Sequence, residues 1–196
     1  MGLVTKKPKK WYYNVKLKIL IAMQPSRRAL LVVDMIHDFV DPGAPLEVPA
    51  TREIIPFIQE RLSYYRKSGW PVIFVCDHHD PTDFEMSIFP LHAIKGTHGA
   101  EIVDELAPLP GEIVIPKKTY SGFVGTPLEE VLHKEGVREL EVVGCVTNIC
   151  VFFTSADACM RGFLVFIPRK GVAALSQEEG EMALEQLAKL FAVKIT

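Results

Sequence analysis

Four reactive side chains fall at or just beyond the ends of apolar runs. Asp34 closes "ALLVVD" (29–34), Asp77 closes "PVIFVCD" (71–77) and Lys117 closes "EIVIPK" (112–117). Cys150 follows "ELEVVGCV" (139–146), within "GCVTNICVFF". A thiol attacks an amide carbon efficiently only when a base takes its proton and nearby charge steadies the transition state. A carboxylate beside a lysine supplies both, because the ammonium holds the carboxylate ionised and favours the thiolate. The chemistry this set suggests is acyl transfer, with Cys150 as nucleophile, Asp34 as base and Lys117 as electrostatic partner. The backbone N–H groups of Val146 and Cys150 would form an oxyanion hole.

Cys150 stands apart from the other cysteines. With Thr147 as N-cap it falls in the first turn of a helix, where unpaired N–H groups and the positive dipole end favour a thiolate. Cys145 belongs to the preceding strand, Cys76 to a strand interior, and Cys159 lies nine residues beyond Cys150. Those three are expected to be inert. The four cysteines contain no C-x-x-C or similar pair, which argues against a zinc site made of them.

A second set lies in "CDHHDPTDFEMSIFPLHAIKGTHGAE". Asp77 and His79 are two residues apart in an extended segment and point the same way, while His78 points oppositely. If the loop brings His92 back, these side chains form a carboxylate and imidazole set suited to zinc, iron or manganese, with positions left for water or substrate. On the residues alone, a solvated polar loop fits equally well.

The elements that must position these groups alternate apolar runs with capped amphipathic segments. This pattern predicts an α/β fold: a single-domain, three-layer αβα sandwich on a mainly parallel six-stranded sheet. The strands are the four runs above, "LVFIP" (164–168) and the closing "AVKIT". Thr51 is the expected cap of a helix that stops at Gly69, with Pro56 near its first turns. Thr126 caps another, with Pro127 at the first helical position, Glu129 completing a capping box and Gly136 beyond the end. Ser176 caps a third, whose apolar positions are Met182, Leu184, Leu187 and Leu190. Open α/β sheets bind ligands beyond the carboxyl ends of their strands, where Asp34, Asp77, Lys117 and Cys150 all fall.

With order and chemistry in place, a family resemblance emerges. "ALLVVDMIHDFV", "VIPKKTYSGFVGT" and "GCVTNICV" resemble the signature segments of the isochorismatase-like cysteine hydrolases, spread over residues 29–196. The resemblance implies an Asp34, Lys117, Cys150 triad and a cis peptide before the nucleophile, placed here at Val146 to Thr147. The pattern D-x-H, FP-x-H, GT-x-G-AE is similar to the metal segment of nicotinamidases. That implies one divalent ion on Asp77, His79 and His92, with zinc expected and iron or manganese compatible. Glu85, seven residues before His92, is implied as a direct ligand or one acting through water. Phe39, Phe89 and Tyr120 match aromatic positions around the nicotinamidase ring pocket. The implied reaction is hydrolysis of nicotinamide to nicotinate and ammonia, with a carbamoyl, ureido or other aromatic amide as the alternative substrate. A binding module stabilised by a structural ion is the non-enzymatic alternative.

Composition bounds the partners. Residues 1–28 carry eight of the 22 basic residues and no acidic one, leaving 14 basic against 24 acidic groups in residues 29–196. An acidic body disfavours nucleic acid and anionic membranes. The apolar "ILIAM" is too short for a signal core or a membrane span. Residues 1–28 read as a basic, flexible N-terminal extension or a start placed upstream of Met23, and residues 29–196 as the hydrolase domain. Cysteine usage fits a cytoplasmic location, and the acidic body leaves room for a homo-oligomer.

Overall fold

The computed structural model describes residues 27–196. β1 (Arg27–Val33) leads through a single turn, α1 (His37–Val40), to the long helix α2 (Thr51–Ser68). β2 (Val72–Asp77) and β3 (Ile113–Lys117) are joined by a long loop. Next come α3 (Leu128–Lys134), β4 (Val137–Cys145) and α4 (Phe152–Met160). The chain closes with β5 (Leu164–Ile167), β6 (Val172–Ala173), α5 (Gln177–Phe191) and β7 (Lys194–Ile195). Of the basic extension, only Arg27 and Arg28 are described, and they open β1; the expectations for the rest lie outside the described residues.

The strand order is β3-β2-β1-β4-β5-β7, with β6 beside the end of β4, and the pairings are parallel. The chain winds outward from β1 to β3, then crosses back to place β4 on the other side of β1. That reversal opens a crevice between the carboxyl ends of β1 and β4. Alternation along β1 divides the core: Ala29, Leu31 and Val33 pack toward the α3, α4 and α5 side. Leu30 and Val32 pack with Ile54, Ile58, Leu62 and Tyr65 of α2. Those four α2 residues recur at helical spacing, which gives the helix one apolar stripe. Among the described residues no helix is long and apolar enough to cross a membrane.

Several expectations shift. The sheet has seven strands rather than six; β6 pairs only through Gly144↔Val172 and Cys145↔Ala173, too short a run to leave a periodic pattern. Ala50, not Thr51, is the cap of α2, and the Thr51 hydroxyl donates to Val48 O at 2.7 Å. Thr126 does accept from Leu128 N at 3.2 Å, but α3 starts at Leu128, one residue later than expected. Glu129 makes no capping box because it pairs with Arg161 at 3.0 Å. Ser176 caps α5 through Glu179 N. Leu184 and Leu187 are buried there, whereas Met182 and Leu190 are exposed, since Gly180 and Ala183 complete the inner face. Gly69 and Gly136 end their helices in the left-handed conformation, as expected.

Gly144 governs the switch point. It pairs with Val33 in the β1–β4 register, at φ 115°, and an added Cβ would lie 2.0 Å from the Val33 carbonyl oxygen. Gly144→Ala is expected to cost about 3 kcal/mol or more, from backbone strain plus overpacking. Gly136→Ala, at φ 67° with open space around it, should cost about 1–2 kcal/mol. Urea denaturation of both variants measures the contrast.

Candidate active site

β1 ends one residue before Asp34, whose φ of 52° is a left-handed conformation that Asp adopts more readily than most residues. Its backbone N–H donates to Val75 O at 3.0 Å, and its Oδ1 accepts from Asp77 N at 2.7 Å. The β2–β3 register sets Asp77 directly beside Lys117. Lys117 Nζ therefore reaches three groups: Asp34 Oδ2 at 2.8 Å, Asp77 Oδ1 at 2.5 Å and Cys150 Sγ at 3.4 Å. The three side chains of the expected triad thus meet, all buried.

The electrostatics follow from one ammonium facing two carboxylates without water. Burial alone would lower Lys117, yet Asp34 and Asp77 raise it well above its ordinary value, so it stays charged. Burial and the Asp77 charge push the Asp34 carboxyl up to about 7 against the pull of Lys117. Burial also raises Asp77, but Lys117 and His79 outweigh it and hold that carboxyl below its usual range. Cys150 corrects an expectation. Burial lifts its thiol well above the ordinary value, Lys117 does not offset this, and the two carboxylates add to the rise. Desolvation therefore opposes the helix end, whose partial charge is small beside it, and favours the protonated form until Asp34 takes the proton.

The turn carrying Cys150 also departs from expectation in detail. Val146 is the cap, and Thr147–Val151 forms a wide π-helical turn before α4. The Val146 carbonyl accepts from Ile149 N and Val151 N. The cis peptide is Cys145–Val146, one bond earlier than expected. Cys145 is buried, and its Sγ donates to Asp34 O at 3.1 Å, which ties the β4 end to Asp34. Cys76 is buried in its strand and Cys159 is partly exposed.

The second set also assembles. Ligand-type atoms of Asp77, His79, Glu85 and His92 lie within 4.8 Å of one another, and all four side chains are buried. The loop closes because His79 N donates to Ala93 O at 2.8 Å and Lys95 N donates to His79 O at 2.9 Å. His92 Nδ1 donates to Pro90 O at 2.8 Å, which leaves Nε2 with its lone pair free. Burial lowers His92 below its ordinary value, so it stays neutral. Among the described residues neither ring nitrogen of His79 nor Glu85 Oε1 has a hydrogen-bond partner. Buried polar atoms without partners are rare and call for an explanation. His78, as expected, turns to a separate depression on the other side.

Both sets border one cavity of about 320 Å³, lined by Cys150, Val146, Asp77, Glu85, His92, Phe39, Phe89 and Tyr120 among others. Phe39 and Phe89 sit 5.7 and 6.2 Å from the His92 ring. Sequence reasoning missed Leu46, Val48, Ile149 and Leu175 in the wall; they come from irregular segments or the π-helical turn and carry no periodic signal. It also missed Asp38, whose Oδ2 accepts from Ala93 N at 2.7 Å and anchors the residue after His92. Asp83, 3.5 Å from His79 Nδ1, was signalled only by its i,i+4 spacing.

A doubly wound parallel sheet with a buried thiol, ammonium and carboxylates at its switch point defines the class as an open α/β scaffold that carries its reactive groups at the strand ends. Residues 28–196 match the Isochorismatase domain, and the chain belongs to that family of hydrolases. Nicotinamidase/pyrazinamidase PncA of Bacillus subtilis is 31% identical with a TM-score of 0.81, over 87% of this chain and 99% of that one. A pyrazinamidase of Pyrococcus horikoshii, in complex with zinc, is 33% identical with a TM-score of 0.80, over 87% and 98%. N-carbamoylsarcosine amidase of Thermoplasma acidophilum is 31% identical with a TM-score of 0.80, over 87% and 95%.

Lys117→Met would leave Asp34 and Asp77 buried without their cation. Breaking a buried pair in this way is expected to cost about 3–5 kcal/mol. Lys118→Met, which removes exposed contacts to Asp80 and Asp83, should leave stability nearly unchanged. Chemical denaturation of the two variants provides the comparison.

Proposed function

We propose that the protein is a metal-dependent cysteine amidohydrolase, a nicotinamidase that converts nicotinamide to nicotinate and ammonia in cytoplasmic pyridine nucleotide salvage. The observation that carries the reading is the single cavity shared by Cys150, the aromatic rings and the Asp77, Glu85, His92 wall. Charge supports a divalent ion there. The buried carboxyls Asp34, Asp77 and Glu85 outnumber the one buried ammonium, Lys117, which favours a bound cation. The free donor atoms of His79, His92 and Glu85 fit zinc, with iron or manganese also suited to imidazole and carboxylate. When bound, such an ion supplies a fixed positive centre that can hold the ring nitrogen of the substrate.

The chain's own residues would carry the covalent chemistry. The Cys150 proton passes to Asp34 as Sγ bonds to the carboxamide carbon, and the carbonyl oxygen gains the negative charge. Backbone N–H groups of Val146 and Cys150 meet that charge. Asp34 then gives the proton to the amide nitrogen, the C–N bond breaks, and ammonia leaves an acyl thioester on Cys150. Water loses a proton to Asp34 as it adds to the thioester carbon, the sulfur departs and regains that proton, and the nicotinic acid released ionises to nicotinate as ammonia takes up its proton. A carboxyl held near 7 suits both acceptance and return of the proton. Lys117 steadies Asp34 and the sulfur in each ionised state. Phe39, Phe89 and Tyr120 clasp the ring.

Similarity to N-carbamoylsarcosine amidase supports a ureido substrate as the second reading. That substrate carries a carboxylate, whereas the cavity wall contains Glu47, Asp77 and Glu85 and no Arg or Lys. A neutral aromatic amide fits the wall better. Ammonia release should be seen with nicotinamide and be absent or much slower with N-carbamoylsarcosine; the reverse order would overturn the nicotinamidase reading. Cys150→Ala should lower turnover on the order of 10⁴-fold or more while the protein still binds zinc. Chelation should abolish ammonia release, and zinc, iron or manganese added back should restore it.

A further inference from the structure

Away from this cavity, His37, Asp41 and His98 bring one nitrogen or carboxylate oxygen each within 4.8 Å of one another. None of them lines the cavity. The two imidazole rings are stacked at an angle, with centroids 3.8 Å apart and planes tilted by 31°, so a shared ion requires the exposed His98 ring to turn out of the stack. Each ring is oriented by its own carboxylate. His37 Nδ1 lies 2.9 Å from Asp41 Oδ2, and His98 Nδ1 lies 3.2 Å from Glu101 Oε2. A carboxylate acceptor fixes the ring proton on Nδ1 and leaves Nε2 with a free lone pair. That is how metal-binding histidines are commonly held, since the outer carboxylate sets the tautomer and raises the basicity of the ligating nitrogen.

The frame beneath the pair is rigid. His37 N donates to Glu101 O at 3.0 Å, and Ile36 and Ile102 form an antiparallel bridge. A Cβ on Gly99 would lie 2.2 Å from the Asp38 carboxylate, so the turn carrying His98 is seated closely on α1. The His37 side chain is only 12% exposed, while that of His98 is 70% exposed, so one ligand is anchored and the other is free to adjust.

We propose that His37 and His98 form a second, surface site for a late first-row divalent cation such as zinc, with Asp41 and Glu101 orienting the rings. Imidazole nitrogen suits such ions, and water completes the coordination. The ion would pin the Thr97–Glu101 turn to α1, and so join the loop that carries His92 to the turn that carries Phe39.

The test uses the full chain, stripped with chelator and dialysed against zinc. Wild type should bind two equivalents, and His98→Ala and His79→Ala one each. If the cavity holds no ion, wild type should bind one equivalent and His98→Ala none, which sinks the cavity metal but keeps this site. Zinc should shift the ring resonances of His37 and His98 in NMR spectra of the His79→Ala protein. It should also raise the melting temperature of that protein, through binding to the folded state alone. His98→Ala, which should melt with wild type when metal-free, shows whether the site rather than the fold was lost. Equal zinc uptake by His98→Ala and wild type, or unmoved ring resonances, would overturn the proposal.

Discussion

The site depends on a lysine held in the dry interior by two carboxylates. Lys117 is 1% exposed and touches Asp34, Asp77 and the Cys150 sulfur. An ammonium without water persists only where paired charge and hydrogen bonds replace its hydration. The fold meets that demand by adjacency: β1, β2 and β3 are consecutive in the sheet, and the Asp77↔Lys117 register puts the charges side by side. Asp34 reaches the same point because its left-handed backbone turns the carboxylate toward the Asp77 N–H. A one-residue slip of β3 would turn Lys117 to the opposite face and leave both carboxylates unpaired.

Asp77 joins this network to the histidines. Its Oδ1 lies 2.5 Å from Lys117 Nζ and 3.5 Å from His79 Nε2. Any charge bound among His79, Glu85 and His92 is therefore felt at Lys117 and, one contact further, at Asp34 and Cys150. The metal-type donors and the thiol are two ends of one buried electrostatic system, which explains why they border a single cavity.

Much of this was legible in the sequence, for physical reasons. Strands covered on both faces must be apolar throughout, so a charged residue ending such a run marks the sheet rim; that located Asp34, Asp77 and Lys117. Period-two alternation separated His79 from His78. What local pattern could not supply was the consequence of burial. The helix start around Cys150 suggested a thiolate, but the residue is 5% exposed and its sulfur lies near two carboxylates, so desolvation opposes the helix end. Nor did periodicity report β6, which is two residues long, or the wall residues Leu46 and Leu175.

The same reasoning explains why the β2–β3 connection is long. A direct crossover would need only to cover the sheet, yet residues 78–112 also carry His79, Glu85 and His92 to the rim. Part of the loop packs into the α2-side core through Ala93, Val103 and Leu106, and polar contacts fasten its base. Asp38 receives Ala93 N, His79 exchanges backbone bonds with Ala93 and Lys95, and Ile36 bridges to Ile102. The Asp38 and Ile36 contacts fall on the segment that follows Asp34, so the turn after β1 does two jobs. It aims the carboxylate inward, and it is the bracket on which the histidine loop is mounted. Displacement of that turn would therefore move Asp34 and the metal-type donors together, which couples the geometry of the base to that of the substrate-facing wall.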